Sequence, residues 1–120
     1  MRETITVSIP DMVLSGNSVA HWGKKIKPKK AAREEGYYAA LASKLKHARY
    51  KEADVHMVFY HKVTRVRDGD NFLILMKHTL DGFADAEIVV NDKGVKHYPI
   101  QFKIDKENPR VEITIEEVKN

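Results

Sequence analysis

A short acidic segment, Asp68-Gly69-Asp70-Asn71, is followed along the chain by Lys77, Asp81 and Asp92. Carboxylate oxygens are hard ligands that suit Mg²⁺ or Mn²⁺, and such a cation activates bound water for attack on phosphorus. A lysine nearby can orient that water or neutralise the charge that builds on the phosphoryl oxygens. These residue types together predict metal-dependent chemistry on a phosphate ester.

Local geometry predicts how these side chains converge. In an extended loop Asp68 and Asp70 point to the same side, so two carboxylates can reach one ion. Lys77 lies seven residues beyond Asp70, which is about 20° short of two full helical turns. Asp81 lies one turn further on the same face, where it can hold the ammonium group in place. Asp92 follows a short apolar run, and we expect the chain to fold back and add it as a third acid.

Each part of this pattern also has a simpler explanation. An isolated Asp-x-Asp-Asn is usually a turn or a helix cap, and Lys77 with Asp81 is an ordinary solvated helix pair. Asp92 beside Lys93-Gly94 can be a turn. The complete order of these residues in a basic chain is what favours the metal site.

Charge is distributed unevenly along the chain. Residues 1–67 hold 14 Lys and Arg against 6 Asp and Glu (+8), and residues 68–120 hold 7 against 11 (−4), which sum to the +4 of the whole chain. The pI near 9.2 favours polyanionic partners. No apolar run approaches bilayer-spanning length, and cysteine is absent, so we expect a cytoplasmic protein with no membrane partner.

A basic run lies at the end of residues 10–30, which the sequence predicts to be a long loop. It is either a mobile solvated arm or a surface that contacts DNA phosphates. Arg65 and Arg67 are the stronger candidates, because DNA held by them would pass directly over Asp68. Trp22 can stack or pack, and we expect it to pack. The predicted phosphate-contacting residues are Lys24, Lys25, Lys27, Lys29, Lys30, Arg33, Arg65 and Arg67.

Hydrophobic periodicity predicts the elements that must position these residues. Alternation predicts strands over residues 4–9, 54–62, 96–104 and 111–116, the last two as an antiparallel hairpin. Helical spacing predicts helices over 31–49, where Gly36 is unfavourable, and over 70–84, capped by Asp70 or a neighbour. We therefore predict one α+β domain over residues 1–120, a mixed or antiparallel sheet packed by two main helices.

The pattern Asp68-x-Asp70-Asn71-x5-Lys77-x3-Asp81-Gly82-Phe83, with Asn91-Asp92 further along, resembles the RusA-type Holliday junction resolvases. These are small endodeoxyribonucleases often carried by phages and prophages. The resemblance is clearest over residues 64–92. It extends to the strand near the C-terminus and to Asn17 with His21 and Trp22, which resemble an Asn and aromatic region near the N-terminus of the family.

The resemblance implies magnesium-dependent resolution of four-way DNA junctions in recombination and repair. A homodimer would make paired nicks that leave 5′-phosphates. It also implies roles for single residues. Asp68, Asp70 and Asp92 are the catalytic acids that bind magnesium, or manganese in its place; Lys77 is the catalytic lysine; Asn71 and Asp81 support them; and Asn17 contacts DNA.

The chain departs from the family pattern at three places. Five residues separate Asn71 from Lys77, a longer spacing than in the best-known form. Glu87 stands where relatives often have a glycine that ends the helix, and Asn91 stands where they often have a second acid.

Two other functions remain open. One is a nuclease with a preference for flaps or other branched DNA. The other is a non-catalytic module that binds branched DNA, in which the acids only cap a helix and form turns.

Overall fold

A central strand, β2 (Ala53–His61), organises the sheet of the computed structural model, which describes residues 2–65 and 67–119. Strand β5 (Arg110–Glu117) pairs antiparallel with one edge of β2 and also with the outer strand β1 (Arg2–Val7). The short strands β3 (Val95–His97) and β4 (Gln101–Ile104) share the other edge of β2 and run parallel to it. The predicted α+β class with a mixed sheet is confirmed.

One face of this sheet forms the hydrophobic core. Alternate side chains of each long strand are buried there, as the period of a strand requires. They are Ile5, Val7, Ala53, Val55, Met57, Phe59, Val111, Ile113 and Ile115. The opposite face is more polar, and the hydroxyl groups of Thr4 and Thr114 share a hydrogen bond of 2.7 Å across it.

The predicted hairpin between the last two strands is wrong, because β2 lies between β4 and β5. Phe59 is paired with Phe102 on one side and with Val111 on the other. The predicted strand over 96–104 is also interrupted at Tyr98–Ile100, where Pro99 has no N–H to donate. Alternation along a strand indicates which side chains face the core, but it does not indicate which strand lies alongside.

Helix α1 (Ile26–Leu41) begins and ends earlier than predicted. Pro28 is its third residue, a position in the first turn where a missing N–H costs nothing. The basic run therefore lies on a short 3₁₀ turn (Trp22–Lys25, the Trp22 turn) and on the start of α1, so the prediction of a long loop up to residue 30 is wrong. Leu45 remains fully buried although it follows the helix.

The single helix predicted over residues 70–84 is two helices, α2 (Gly69–Leu75) and α3 (Lys77–Asp85), which meet at the buried Met76. Phe72 of α2 packs edge-on against Phe59 and Phe102 of the sheet, with ring centroids 5.0 and 5.1 Å apart. Helix α3 instead packs along α1. The break lets one continuous apolar stripe face two different surfaces. No described helix is long and apolar enough to cross a bilayer.

Helices α1 and α3 touch through two glycines. A Cβ atom on Gly36 would collide with the carbonyl oxygen of Thr79. A Cβ atom on Gly82 would collide with the carbonyl oxygen of Arg33 and would lie 2.6 Å from the backbone nitrogen of Tyr37. Gly36, which is unfavourable for α1 in isolation, is therefore required for the approach of α3.

The chain leaves α3 through Glu87, which has a left-handed φ of 60°. Its carboxylate lies 2.7 Å from Nη2 of Arg49 and 3.2 Å from Nδ1 of His47. These two residues are also left-handed, with φ values of 52° and 57°. This turn is made with a glutamate in the left-handed region, and the Glu87 carboxylate bridges Arg49 and His47 across it.

Candidate active site

Asp68 and Asp70 lie at the start of α2. Asp68 is the N-cap, and its Oδ1 accepts a hydrogen bond of 2.9 Å from the N–H of Asp70. Asp70 already belongs to the first helical turn, where a negative charge is favourable, so the predicted extended arrangement of the two acids is wrong. Capping of the helix therefore occupies one carboxylate oxygen of Asp68. The exposed Asp70 carboxylate has no hydrogen-bond or ion-pair partner among the described residues.

Both acids line a groove between the start of α2 and the β3–β4 edge of the sheet, which we call the Asp68 groove. Its volume is about 620 Å³. It is lined by Arg67, Asp68, Gly69, Asp70, Leu73, His97, Tyr98, Pro99, Ile100 and Phe102. The two carboxylates are therefore accessible from solvent.

A second groove of about 470 Å³, the Asn17 groove, also has Asp68 in its wall. The side chain of Asn17 accepts a hydrogen bond of 2.7 Å from the hydroxyl of Ser15, and the N–H of Gly16 donates to the carbonyl of Asn71 at 3.2 Å. The groove is lined by Met12, Ser15, Asn17, His61, Arg65, Arg67, Asp68, Asn71 and Phe72. Residues far apart in sequence, Asn17 and Asn71, thus meet beside Asp68.

Arg67 borders both grooves. Its guanidinium donates to the carbonyl oxygens of Arg65 at 3.2 Å and Val63 at 3.3 Å, so it is folded back along its own loop. Burial, and then the charge of Arg65, lower the pKa of Arg67. Two arginine side chains beside Asp68 give this end of the grooves a positive potential that can attract phosphate.

Asp92 lies in a 3₁₀ turn (Asp92–Gly94) that Asn91 caps, with the Asn91 side chain accepting from the N–H of Lys93 at 3.0 Å. Gly94 lets this turn pack against the carbonyl of Lys51. Asp92 lines a small cavity of about 100 Å³, the Asp92 cavity, which Asp81 also lines. The structure therefore groups Asp92 with Asp81 and not directly with Asp68 and Asp70.

His97 is the one described residue that lines both the Asp68 groove and the Asp92 cavity. It is paired with the buried Val55 in the sheet, so its side chain is on the helix-covered face. The His97 residue remains exposed to solvent, and partial desolvation by its neighbours lowers its pKa. The sequence analysis missed this residue, because it sought histidines only at zinc spacing. The available signal was the position of this histidine on the same side of a strand as core residues.

The carboxylate oxygens of Asp68, Asp70 and Asp92 are suitable ligands for a hard divalent cation. Among residues 2–65 and 67–119, however, no three His, Asp or Glu side chains already stand together as a metal site. The acids lie as two pairs, one on each side of His97. Joint binding of an ion by Asp68, Asp70 and Asp92 stays a prediction.

Lys77 is the exposed first residue of α3. Because the helix is broken at Met76, the position inferred from a straight helix does not apply to Lys77. It forms no ion pair with Asp81, whose Oδ2 lies 3.8 Å from Nδ1 of His78. Burial lowers the pKa of His78. The charge of Asp81 raises this pKa, and the charges of Lys29 and Lys77 lower it further. Lys29 of α1 and Lys77 of α3 thus share one neighbourhood.

The other basic candidates differ in their availability. Arg33 binds Asp85 through two hydrogen bonds of 2.7 and 2.8 Å, so its guanidinium is already engaged. Lys30 lies 3.9 Å from Glu34. Trp22 has 69% of its surface exposed, so the expectation that it packs is wrong.

Residues 17–116 match the sequence model of a protein family described as endodeoxyribonuclease RusA. The matched segment contains Asn17, Arg67, Asp68, Asp70, Lys77 and Asp92. No curated protein matches the chain.

Proposed function

The chain belongs to the endodeoxyribonuclease RusA family, and on that premise we propose that it resolves four-way DNA junctions in a magnesium-dependent reaction. The activity would cut two backbone phosphodiesters and leave 5′-phosphates that a ligase can seal. It would serve DNA recombination and repair in the cytoplasm.

We assign the cation, Mg²⁺ or Mn²⁺, to Asp68, Asp70 and Asp92. When bound, it supplies an acidified water and neutralises charge at the phosphate. Arg65 and Arg67 would hold the DNA backbone above Asp68, since arginine forms paired hydrogen bonds with phosphate oxygens. Lys77 would stabilise the negative charge that develops on the phosphoryl oxygens.

The observation that carries the proposal is the juxtaposition of Asp68 and Asp70 with Arg67 in one accessible groove. Asp70 can stabilise the start of α2 through its charge alone, so that role does not occupy its oxygens. The carboxylate of Asp70 has no partner among the described residues, which leaves both of its oxygens available.

A four-way junction has two-fold symmetry and must be cut twice to be resolved. We therefore propose a homodimer with C2 symmetry, in which each subunit presents one set of grooves to one strand. Sedimentation of the protein with and without a junction would measure the number of subunits bound.

The proposed activity is tested by incubating the protein with a four-way junction, a flap and a duplex of matched length, with Mg²⁺ or with EDTA. We expect paired, ligatable nicks in the junction only when Mg²⁺ is present. Asp70→Asn should abolish cutting while junction binding is kept or strengthened, because a charge that repels phosphate is removed. Glu116→Gln removes the same charge from an exposed position on β5 and should cut normally.

Three results would contradict the proposal in different ways. Preferential cutting of the flap would indicate another branched-DNA nuclease. Tight junction binding without cutting by the unaltered protein would indicate a binding module. Equal cutting by the unaltered protein and Asp70→Asn would show that Asp70 is not part of the reaction.

A further inference from the structure

Trp22 is the single tryptophan of the chain and lies on the surface. It belongs to an exposed apolar segment, defined by Val19, Trp22 and Ile26, whose surfaces are 100%, 69% and 54% exposed. An indole gains stability when its rings are covered, and here most of the Trp22 side chain is open to a ligand.

The indole is presented by ordered backbone. Nδ1 of His21 accepts a hydrogen bond of 3.1 Å from the N–H of Gly23 and so caps the Trp22 turn, which continues directly into α1. The rings of His21 and Trp22 are tilted by 36° with centroids 5.4 Å apart. Since Trp22 is 69% exposed, the imidazole leaves most of the indole uncovered. That uncovered surface is available to another planar group.

The charge around Trp22 narrows the choice of ligand. Lys24 and Lys25 share its turn, and Lys27, Lys29 and Lys30 follow on α1. A second copy of the chain would bring these like charges together, which opposes self-association through this surface. A partner that combines a flat apolar ring with regularly spaced negative charge is a nucleic acid, whose bases stack on aromatic side chains.

The Trp22 turn is also close to the candidate active site. The 3₁₀ turn Met12–Leu14 packs against both the Trp22 turn and α2. Met12 itself lines the Asn17 groove together with Asp68. DNA bound along Arg65 and Arg67 would therefore pass from the acids towards the indole.

Bases within a continuous duplex are covered by their neighbours, whereas the base pairs that flank a branch point can open and expose a face. We propose that Trp22 stacks on a base exposed at the branch point, and that this contact favours branched DNA over continuous duplex. The inference rests on the proposed function for the class of DNA, but it concerns recognition and not cleavage.

Trp22 reports on its own contact, because its fluorescence is the only tryptophan emission of the protein. The protein is titrated in EDTA with a four-way junction or with duplex of equal length. Stacking on a base quenches indole emission, so we expect saturable quenching by the junction and clearly weaker quenching by the duplex at equal occupancy, measured independently by anisotropy of labelled DNA.

Substitution gives the second test. Trp22→Ala should weaken junction binding by about 5- to 150-fold, the range for loss of a base-stacking aromatic side chain, and should weaken duplex binding much less. Trp22→Phe should retain most of the preference for the junction. Tyr38→Ala removes another exposed aromatic ring, 65% exposed and further along α1, and should change neither affinity.

The proposal would be overturned if Trp22→Ala lost equal affinity for junction and duplex, or lost affinity for neither. So would emission that shifts to the blue with rising protein concentration in the absence of DNA, since a second copy would then cover Trp22. These measurements contain no metal, so they are independent of cleavage. A protein that cuts junctions without quenching refutes only the stacking, and one that quenches without cutting refutes only the nuclease.

Discussion

Gly36 of α1 and Gly82 of α3 lie against each other, with the added Cβ of Gly82 placed 3.0 Å from the carbonyl carbon of Gly36. This contact fixes the distance between the two helices. It also brings Lys29 of α1 into the neighbourhood of Lys77 on α3. The helix crossing thus sets where two of the proposed basic site residues lie relative to His78.

We expect Gly82→Ala to lower the free energy of unfolding by about 1–3 kcal/mol, because the new methyl group meets backbone that cannot rotate away. Gly69→Ala is the matched control. No atom lies within 4 Å of a Cβ at Gly69, which is the first residue of α2, so alanine should be neutral or slightly stabilising there. Urea unfolding of both variants measures the difference, and equal midpoints would contradict this account of the crossing.

The left-handed Glu87 allows a comparison of strain with ion pairing. Glu87→Ala loses the contacts with Arg49 and His47 and keeps the strain, whereas Glu87→Gly loses the contacts and relieves the strain. We expect the glycine variant to be more stable than the alanine variant by about 1 kcal/mol. If alanine proves the more stable, the strain at this turn is smaller than its φ indicates. Thermal unfolding of the Glu87→Ala and Glu87→Gly variants measures this difference in stability.

His97 separates the two pairs of acids, so its loss should affect cleavage more than folding. We expect His97→Ala to slow junction cleavage by about 10- to 100-fold, as for residues that orient metal ligands. Junction binding in EDTA should be nearly unchanged. His47→Ala, a half-exposed histidine that lines neither the Asp68 groove nor the Asp92 cavity, is the control for cleavage rate. Unaltered single-turnover rates in His97→Ala would remove this residue from the site.

His61 should make stability depend on pH. Its imidazole lies against the rings of Phe59, Phe72 and Phe102, and its Nε2 is buried without a partner among the described residues. Burial, followed by the charges of Arg67 and Arg65, lowers the pKa of His61 below its ordinary value of 6.5. As the pH falls below 6.5, the unfolded chain therefore takes up a proton before the folded chain does, and stability is lost.

We accordingly expect the free energy of unfolding to fall between about pH 7.5 and pH 5, and His61→Phe to reduce that fall. Phenylalanine also has a flat aromatic side chain and cannot be protonated. His56→Phe, at an exposed position, should retain the full dependence. An identical pH profile for His61→Phe and the unaltered protein would show that other groups, such as His78 and His97, account for the effect.

The strands of the sheet were largely predictable, whereas their neighbours were not. Alternation places β1, β2 and β5 within about two residues of their observed bounds, a usual error at element ends. Strands β4 and β5 do not form the predicted hairpin because β2 lies between them and pairs with one of them at each edge. Helix α1 was placed too late, because a run of lysines with Pro28 resembles a loop until the first-turn position of the proline is known.

For the candidate site, residue types were more informative than geometry. The pattern around Asp68 and Asp70 correctly predicted a helix start, and the charged surface beside it stays a prediction. The break at Met76 and the grouping of Asp92 with Asp81 depend on how α2 and α3 divide their contacts between the sheet and α1. These contacts join residues that are distant in sequence, so the local spacing of residues cannot predict them. His97 was missed for the same reason.

The position of β5 has a consequence for synthesis of the protein. Residues 110–117 follow β1 and β2 along the chain, yet they insert between these two strands and pair with both. Until then β1 lacks its partner and one edge of β2 is open, a state exposed to proteases and to aggregation. Protease protection of nascent chains of increasing length should therefore rise abruptly once β5 emerges.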